Sequence, residues 1–298
     1  MDGRTVALTN LDKVLYPSGF TKGEVIDYYV RIAPAILPHL AGRPLTLKRY
    51  PNGSDGGHFY EKRCPKHRPD WVSTAPVWSE REDGEINFCV CEDVATLVWV
   101  AQLASLELHP SLSRAERMET PTTLAFDLDP GEPATVVECC RVALRLRELF
   151  GAFGLECFPK SSGSKGLQVY VPLNTEITYA TTKPYAQAIA QLLEREHPEE
   201  ITSRMTKKLR KGKVFVDWSQ NTESKTTVAV YSLRAKDRPT ASAPVEWKEV
   251  ARVAKTQDPE LLLFEAGEVV KRYEKKGDLF APVLELEQEL PGLDALRG

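Results

Sequence analysis

The stretch Leu124-Ala-Phe-Asp-Leu-Asp-Pro-Gly131 predicts the element around which the fold is organised. Its apolar side chains alternate with small or charged ones, which is typical of a strand with one face in the core. Asp127 and Asp129 then lie on the other face, about 6.7 Å apart at Cα. Two carboxylates so placed repel one another, and a divalent cation relieves the repulsion. The stretch indicates a metal platform, although a solvated turn also explains an Asp-x-Asp sequence.

A second predicted strand, Lys213-Val-Phe-Val-Asp217, offers a third carboxylate on the face opposite its two valines. Three carboxylates, with phosphate oxygens and water, are the ligands that a pair of Mg²⁺ or Mn²⁺ ions requires. In such a site one ion activates a 3′-hydroxyl and the other steadies the pyrophosphate that leaves. The pattern therefore predicts metal-dependent nucleotidyl transfer, in which the hydroxyl of the substrate is the nucleophile.

Helical and strand patterns are interleaved along the chain, which predicts an α+β fold with antiparallel or mixed sheets flanked by helices. Thr21-Lys-Gly-Glu24 is a capping box that opens a helix over about residues 22–40. The apolar run 93–108 predicts a second, mostly buried helix. Residues 227–234 have the alternation of a strand. We expect one compact unit with an active-site cleft.

The composition is that of a globular protein, with 298 residues, 42% hydrophobic content and a net charge of −3. No run approaches the roughly 20 apolar residues that span a bilayer, and the N-terminus lacks the apolar centre of a signal peptide. We therefore expect a cytoplasmic protein without a membrane partner. The six cysteines are irregularly spaced, so we interpret them as reduced thiols. The basic run between Arg204 and Lys213 predicts either a patch for an anionic partner or a solvated charge run.

Three further segments carry polar residues of interest. The turn Ser161-Ser-Gly-Ser-Lys-Gly166 lies between two predicted strands, where its glycines let the backbone approach a phosphate. The turn lacks the Walker spacing, so P-loop chemistry is excluded, and a plain hairpin turn is the alternative. His109 would be a cation at the end of the predicted helix, and Arg234 could pair with a triphosphate or a carboxylate.

Together these segments resemble the polymerase domain of bacterial DNA ligase D, in the archaeo-eukaryotic primase superfamily. The similarity runs almost from end to end of the chain. The matching segments are residues 8–17, 41–53, 58–62, 106–109, 126–131, 162–167, 214–221 and 231–235. So many segments in the same order are far more specific than any one of them. The resemblance implies an archaeo-eukaryotic primase-like catalytic core.

The resemblance also implies a role for each candidate residue. Two ions, Mn²⁺ or Mg²⁺, would be bound by Asp127, Asp129 and Asp217. The incoming NTP or dNTP would be held by His109, Ser162, Lys165 and Arg234, with Phe59 or its neighbour Tyr60 stacked beneath the base. The 5′-phosphate of a broken or gapped DNA end would bind Asn10, Lys13, Lys22 and Lys48. Lysines suit this dianion as point charges.

Gln168 departs from the family pattern, in which a histidine commonly follows Gly-Leu in this strand. The neighbouring apolar residues alternate inward, which places Gln168 on the cleft side. An amide can hydrogen-bond a phosphate or an aspartate but cannot carry a charge. We therefore expect weaker support for the triphosphate or the metal at Gln168.

The implied function is that of a primase-polymerase which adds nucleotides, preferably ribonucleotides, to 3′ ends at gaps and double-strand breaks. Within one domain, we expect a DNA-end-binding part over about 1–120, a catalytic part over about 121–240 and a helical tail over about 245–298. Its partners would be DNA ends with a 5′-phosphate, Ku, and a DNA ligase domain or protein, at the bacterial nucleoid. Two alternatives are a non-catalytic module that bridges DNA ends and a metal-dependent glycosyltransferase.

Overall fold

Two sheets, each flanked by helices, form the framework of the computed structural model, which describes residues 3–80 and 82–297. The strands are β1 (Leu45–Arg49), β2 (Phe59–Glu61), β3 (Thr74–Ser79), β4 (Gly84–Cys89), β5 (Ser105–Pro110), β6 (Thr123–Pro130), β7 (Phe158–Ser161), β8 (Leu167–Pro172), β9 (Ile201–Thr202) and β10 (Val214–Asp217). The helices are α1 (Lys22–Leu40), α2 (Val94–Gln102), α3 (Val136–Ala152), α4 (Tyr179–Glu196), α5 (Trp247–Thr256), α6 (Ala266–Lys276) and α7 (Pro282–Glu285). The predicted α+β fold class is confirmed.

The chain divides into two compact units, each assembled from separate segments. The first unit contains the chain up to Met118 together with Thr226–Ser242 and Phe264–Asp278. The second contains Glu119–Lys225, Ala243–Leu263 and the chain from Leu279 onward. The C-terminal helices are therefore shared between the two units, a distribution that the pattern of residues along the chain does not reveal. The predicted three-part division of functions stays a prediction.

The first unit is built on the sheet β2-β1-β4-β3, with β5 also paired to β1. All of its pairings are antiparallel. The predicted capping box opens α1, since Thr21 accepts from the Glu24 amide and Glu24 accepts from the Thr21 amide. The apolar face of α1 packs against α2 and α6. The core of this unit therefore lies between α1 and its neighbouring elements.

The second unit is built on the sheet β7-β8-β6-β10-β9, in which only the β10–β9 pairing is parallel. Phe126 and Leu128 of β6 are fully buried, and α3 packs against their strand. The Phe126 and Phe150 rings lie 5.8 Å apart between centroids. Because strand residues alternate in direction, the residues between these apolar side chains are free to face the other side of the sheet.

The predicted helix over 93–108 is wrong in its second half. The structure ends α2 at Gln102, and Ala104 then adopts a left-handed conformation with φ 58°. The chain continues as β5, which pairs with β1 and contains His109. An unbroken apolar run fits a buried helix and a buried strand equally well, and no glycine marks the turn at Ala104.

The predicted strand over 227–234 is also wrong. This segment is mostly buried, and its strand-like pairing within the described residues is one isolated bridge, between Leu233 and Ala241. Tyr231 has φ 66°, which interrupts any extended conformation at that point. The alternation of apolar residues reflects burial of an irregular segment, in which the Tyr231 amide donates to the Ser242 carbonyl.

The interpretation of all six cysteines as reduced thiols is wrong for one pair. Cys64 and Cys89 form a disulfide, while the other four cysteines are buried and free. The Cys64 amide donates to the Asn87 carbonyl, which brings the loop after β2 against β4. A single pair 25 residues apart has no framework spacing from which it could be recognised.

In the described ranges, no helix has the length and apolar character needed to cross a membrane.

Asn221 joins the chain after β10 to the central strand of the second sheet. Its side chain is completely buried, accepts from the Ala125 amide at 2.9 Å and donates to the Ala125 carbonyl at 2.7 Å. We expect Asn221→Ala to lower the free energy of unfolding by about 2 kcal/mol or more, because each buried backbone group left unpaired costs about 1–3 kcal/mol. Urea denaturation measures this loss. Asn87→Ala, at an exposed side chain, is the control, and equal stability of the two variants would contradict the role of Asn221.

Candidate active site

The register of two strands gathers the predicted metal ligands on one face of the second sheet. β10 pairs with β6 so that Asp217 lies opposite Asp127 and Phe215 lies opposite Asp129. Residues directly opposite in an antiparallel pair point to the same face, with Cα atoms about 4.5–5.5 Å apart. Asp129 shares this face because it lies two residues beyond Asp127. The structure therefore brings the three aspartates together on one surface, which we call the aspartate face.

Neighbouring polar groups engage the carboxylates of Asp217 and Asp129. Asp217 accepts hydrogen bonds from the Ser219 amide at 2.9 Å and from the Gln220 side chain at 2.8 Å, as the N-cap of a short 3₁₀ turn. Arg210 Nη1 lies 3.9 Å from a carboxylate oxygen of Asp129. With these rotamers, no three His, Cys, Asp or Glu side chains in the described part of the chain are arranged to hold one ion. Because both oxygens of Asp217 are engaged by its cap, we expect Asp217 to turn before it shares an ion with Asp127.

The donor set nevertheless fits a hard divalent cation. The aspartate face offers carboxylate oxygens, which Mg²⁺ and Mn²⁺ prefer to nitrogen or sulfur. Burial and the neighbouring charges of Asp129 and Asp217 raise the pKa of Asp127 to about 7. A carboxylate destabilised by burial and like charge gains strongly from a cation. The donor chemistry and the electrostatics of the aspartate face both favour a metal.

The Ser162 side chain closes the turn between β7 and β8. Its hydroxyl accepts from the Gly166 amide at 3.0 Å. Gly166 lets the turn approach β6 closely, because a Cβ at this position would lie 2.2 Å from the Leu128 carbonyl oxygen. Lys165 extends into solvent and pairs with Glu132 at 2.8 Å. The turn therefore contacts β6 between its two aspartates and carries an exposed ammonium group.

A buried carboxylate, Glu107, organises three of the predicted binding residues in the first unit. Its oxygens lie 3.3 Å from Lys48 Nζ, 3.1 Å from His109 Nε2 and 3.3 Å from Arg234 Nε. It also accepts a hydrogen bond from the Tyr50 hydroxyl at 2.9 Å. Burial alone would raise the pKa of Glu107, but these partners outweigh burial and hold the pKa well below its usual range. We call Glu107 and these four partners the Glu107 cluster.

His109 differs from the expected cation at a helix end, because it lies within β5. Burial lowers the pKa of His109, and the hydrogen bond with Glu107 opposes this effect only in part. The imidazole is therefore neutral near pH 7, with one nitrogen as donor and the other as acceptor. It can contact a nucleotide by hydrogen bonding, without bringing a charge of its own.

The two exposed aromatic residues of β2 point to opposite faces of the first sheet. The Tyr60 ring lies edge-on to the His109 ring at 5.9 Å, and Lys48 Nζ lies 5.4 Å from the Tyr60 ring centroid. The Phe59 ring instead lies 5.3 Å from the Arg49 guanidinium. Tyr60 therefore adjoins the Glu107 cluster, whereas Phe59 does not.

Lys13 and Lys22, two of the residues predicted to bind a 5′-phosphate, are neighbours in the structure, where the Lys22 amide donates to the Lys13 carbonyl at 2.8 Å. Lys13 donates to the Pro51 carbonyl, and Lys22 donates to the Thr9 carbonyl at 3.1 Å. Burial lowers the pKa of Lys22, and the neighbouring charges of Lys13 and Arg49 lower it further. A bound anion would relieve the repulsion between these cations.

The structure separates Lys48 from this pair. Lys48 belongs to the Glu107 cluster, while Arg49, the next residue of β1, faces Lys22, because adjacent strand residues point to opposite faces. The backbone of Asn10 is next to Lys13, because the Asn10 carbonyl accepts a hydrogen bond from the Lys13 amide at 3.1 Å. The predicted contact of Lys48 with a 5′-phosphate is therefore less well placed than a contact by Arg49.

Sequence reasoning missed four charged residues around these sites. Glu107 and Arg49 adjoin residues that were recognised, and only sheet pairing reveals what they contact. Arg210 belongs to the basic run, but its stacking at 3.7 Å over the Phe215 ring places it beside Asp129. Lys160 gives no signal in the sequence, because a lysine in a short strand is ordinarily a solvated residue.

The Glu107 cluster predicts a pH-dependent stability. Since the folded-state pKa of Glu107 is lowered, its contribution is complete above the ordinary glutamate pKa of about 4.3 and is lost as the pH falls below it. We expect Glu107→Gln to cost about 3 kcal/mol of unfolding free energy at pH 7, because the partly buried Lys48 and Arg234 lose their counter-charge, and to cost clearly less at pH 3. Urea denaturation at both pH values tests this, with the exposed Glu85→Gln as control. A cost that does not change with pH would contradict the assignment.

Comparison with known proteins places these features in a family. Residues 21–280 match the family model described as LigD, primase-polymerase domain. The chain is 44% identical over 294 residues to the multifunctional non-homologous end joining protein LigD of Mycolicibacterium smegmatis, covering 98% of this chain and 37% of that protein. It is 33% identical to the bifunctional LigD of Bacillus subtilis, covering 95% of this chain and 45% of that protein.

A solved structure shows the same fold over nearly the whole chain. This structure is the polymerase domain of Mycobacterium tuberculosis ligase D in complex with DNA, with a TM-score of 0.87 and 41% identity. The match covers 95% of this chain and 99% of that domain. The chain thus spans less than half the length of the curated relatives named above and nearly all of the solved domain. The family model, the identity to the curated relatives and the shared fold agree. The chain belongs to the LigD primase-polymerase domain family, whose members are nucleotidyltransferase-type polymerases.

Proposed function

We propose that this chain extends 3′ ends at gaps and double-strand breaks in DNA by metal-dependent nucleotidyl transfer. The observation that carries the proposal is the pairing of β10 with β6, which sets Asp217 beside Asp127 on the aspartate face. The family supports a polymerase, and the names of the relatives support a role in non-homologous end joining. The glycosyltransferase alternative finds no support in this family.

The aspartate face would bind the metal ions, Mn²⁺ or Mg²⁺. When bound, such ions activate the attacking 3′-hydroxyl and neutralise charge on the leaving pyrophosphate. Asp127 and Asp129 would supply ligands from a rigid central strand, and Asp217 would complete the set after leaving its cap. Arg210, which lies beside Asp129, would move together with the Asp129 carboxylate when that carboxylate binds a metal ion. No protein side chain needs to act as the nucleophile.

The NTP or dNTP would be held by the polar groups that the family resemblance implies. Lys165 could exchange Glu132 for a phosphate, because both side chains are largely exposed and such a pair is weak. Ser162 would hold the turn between β7 and β8 in the conformation that faces the nucleotide, through its hydrogen bond with the Gly166 amide. Arg234, fixed by Glu107, would offer a guanidinium for bidentate phosphate binding, and His109 would contribute a neutral hydrogen bond. Tyr60 is a better candidate than Phe59 for stacking with the base, because it adjoins His109.

Lys13 and Lys22 would hold the 5′-phosphate at the far side of a gap. Two observations support this role. The positive charges of Lys13 and Lys22 repel one another, a repulsion that a bound dianion would remove, and the solved relative forms a complex with DNA. Asn10 and Arg49 would complete the pocket, with Lys48 as a weaker candidate. Recognition of this end would place the domain in register with the nucleotides still to be added.

The names of the relatives support a proposal for the wider setting of the activity. Since the curated relatives are named as multifunctional or bifunctional end-joining proteins, we propose that a DNA ligase, on the same polypeptide or a separate one, seals the ends that this domain fills. Ku would present those ends. Because the substrate would be chromosomal DNA, the reaction would take place at the nucleoid, in the bacterial cytoplasm. Ribonucleotides are the preferred substrate in this proposal.

Primer extension on a gapped duplex with a 5′-phosphate tests the polymerase proposal. With NTPs or dNTPs and Mn²⁺ or Mg²⁺, we expect extension that falls by at least about 100-fold in Asp127→Ala/Asp129→Ala, because charge stabilisation in the transition state is lost. Asp70→Ala, which changes an exposed carboxylate, is the control. If the protein binds the gap tightly through its 5′-phosphate but extends nothing, the non-catalytic end-bridging module becomes the better account.

DNA binding measured at several salt concentrations tests the phosphate pocket. Neutralising Z phosphates gives a slope of about −0.7Z to −0.9Z in the double-logarithmic plot. We expect Lys13→Ala to reduce the slope by about one contact, and we expect a 5′-hydroxyl duplex to bind the native protein no better than the 5′-phosphate duplex binds the variant. Lys275→Ala, an exposed lysine of α6, serves as the matched control. Equal binding of 5′-phosphate and 5′-hydroxyl ends would remove the pocket from the account.

A further inference from the structure

Four polar residues form a single row across the second sheet. Asp217 pairs with Asp127, Asp127 pairs with Gln168, and Gln168 pairs with Lys160. Directly opposed residues share a face, so the row places two carboxylates, an amide and an ammonium group side by side on β10, β6, β8 and β7. The register of the sheet therefore connects a lysine to the aspartate face through one intervening side chain.

Lys160 is buried, and the free-energy cost of burying its charge must be offset by a partner. Only 1% of the residue is exposed, although lysine is almost never fully buried without a partner. Its Nζ donates to the Gln168 side-chain oxygen and lies 5.5 Å from the Tyr170 ring centroid. Because Lys160 is covered by its neighbours, it cannot touch a nucleotide or DNA directly.

The ammonium group fixes the orientation of the Gln168 amide. A lysine ammonium has donors and no acceptor, so the amide oxygen must face Lys160. The amide nitrogen of Gln168 then faces the other neighbour in the row and donates to the Asp127 carboxylate. Without a donor at position 160, the amide could turn and present its oxygen to the carboxylate, which would be repulsive.

We propose that Lys160 is a positioning residue for Asp127, acting through the Gln168 amide. By fixing the amide, Lys160 fixes the oxygen of Asp127 that is hydrogen-bonded and the rotamer in which the carboxylate meets a cation. Gln168 carries no charge, and the nearest positive charge in the row is that of Lys160 on β7, one strand further from Asp127. This inference rests on the proposed metal site at Asp127 and extends it to a residue outside the ligand set.

Binding of Mn²⁺ alone to the full chain, without nucleotide or DNA, tests the proposal. Electron paramagnetic resonance of free Mn²⁺ gives the affinity for the native protein and for Lys160→Met, Gln168→Leu and the double variant. Loss of a residue that orients a ligand typically weakens metal binding about tenfold or more. We expect each single variant to lose about that factor and the double variant to lose little beyond the larger single loss, because both changes break one connection.

Two conservative variants separate positioning from other roles of the lysine. Lys160→Arg keeps a donor and the charge, and Lys160→Gln keeps a donor without the charge, so both should recover most of the affinity lost in Lys160→Met. The bridge between Lys160 and Pro244 is made by the backbone, so we expect every variant to keep it. If Lys160→Met does not fold, Lys160→Thr takes its place, because threonine suits a strand and is too short to reach Gln168.

The proposal is overturned if Lys160→Met or Lys160→Thr binds Mn²⁺ as the native protein does, or if the losses at positions 160 and 168 add. It is also overturned if Lys160→Gln is as weak as Lys160→Met, because charge alone would then explain the loss. Asp127→Ala/Asp129→Ala separates this result from the proposed function. If that variant retains native Mn²⁺ affinity, the metal site itself is wrong and the role of Lys160 falls with it.

Discussion

The pairing of β10 with β6 is the constraint on which the proposed chemistry depends. It sets Asp217 opposite Asp127 and leaves Asp129 two residues along the same face. A shift of one residue in this register would turn Asp217 toward the opposite face of the sheet. Asn221 secures the register, because its buried amide bonds both backbone groups of Ala125 next to β10. The position of the carboxylates is therefore a property of backbone pairing more than of flexible loops.

Charge is balanced in opposite ways in the two units. On the aspartate face, carboxylates outnumber their cationic neighbours, and burial together with this excess of negative charge raises the pKa of Asp127. In the Glu107 cluster, one buried carboxylate holds two cations and a histidine, and the lowered pKa of Glu107 expresses the reverse. The first arrangement favours binding of cations, and the second keeps a set of donors fixed for anions.

The sequence predicted the parts of this arrangement that depend on local pattern. Alternation identified β6 and its two aspartates, and the capping box identified the start of α1. Features that depend on tertiary pairing were not predictable. A left-handed Ala104 converted the end of a predicted helix into β5, and the Cys64–Cys89 disulfide depends on a contact between the loop after β2 and β4. The burial of Lys160 likewise arises only when β7 pairs with β8.

A crystal structure of the protein soaked with Mn²⁺ and a non-hydrolysable nucleoside triphosphate is the most direct measurement of the central claim. Anomalous scattering at the manganese edge locates the ions without reference to the protein chain. The account predicts manganese on the aspartate face, with Asp217 turned from its cap toward Asp127 and two ions roughly 3.5–4 Å apart. Manganese bound elsewhere, with Asp217 still capping the 3₁₀ turn, would contradict it.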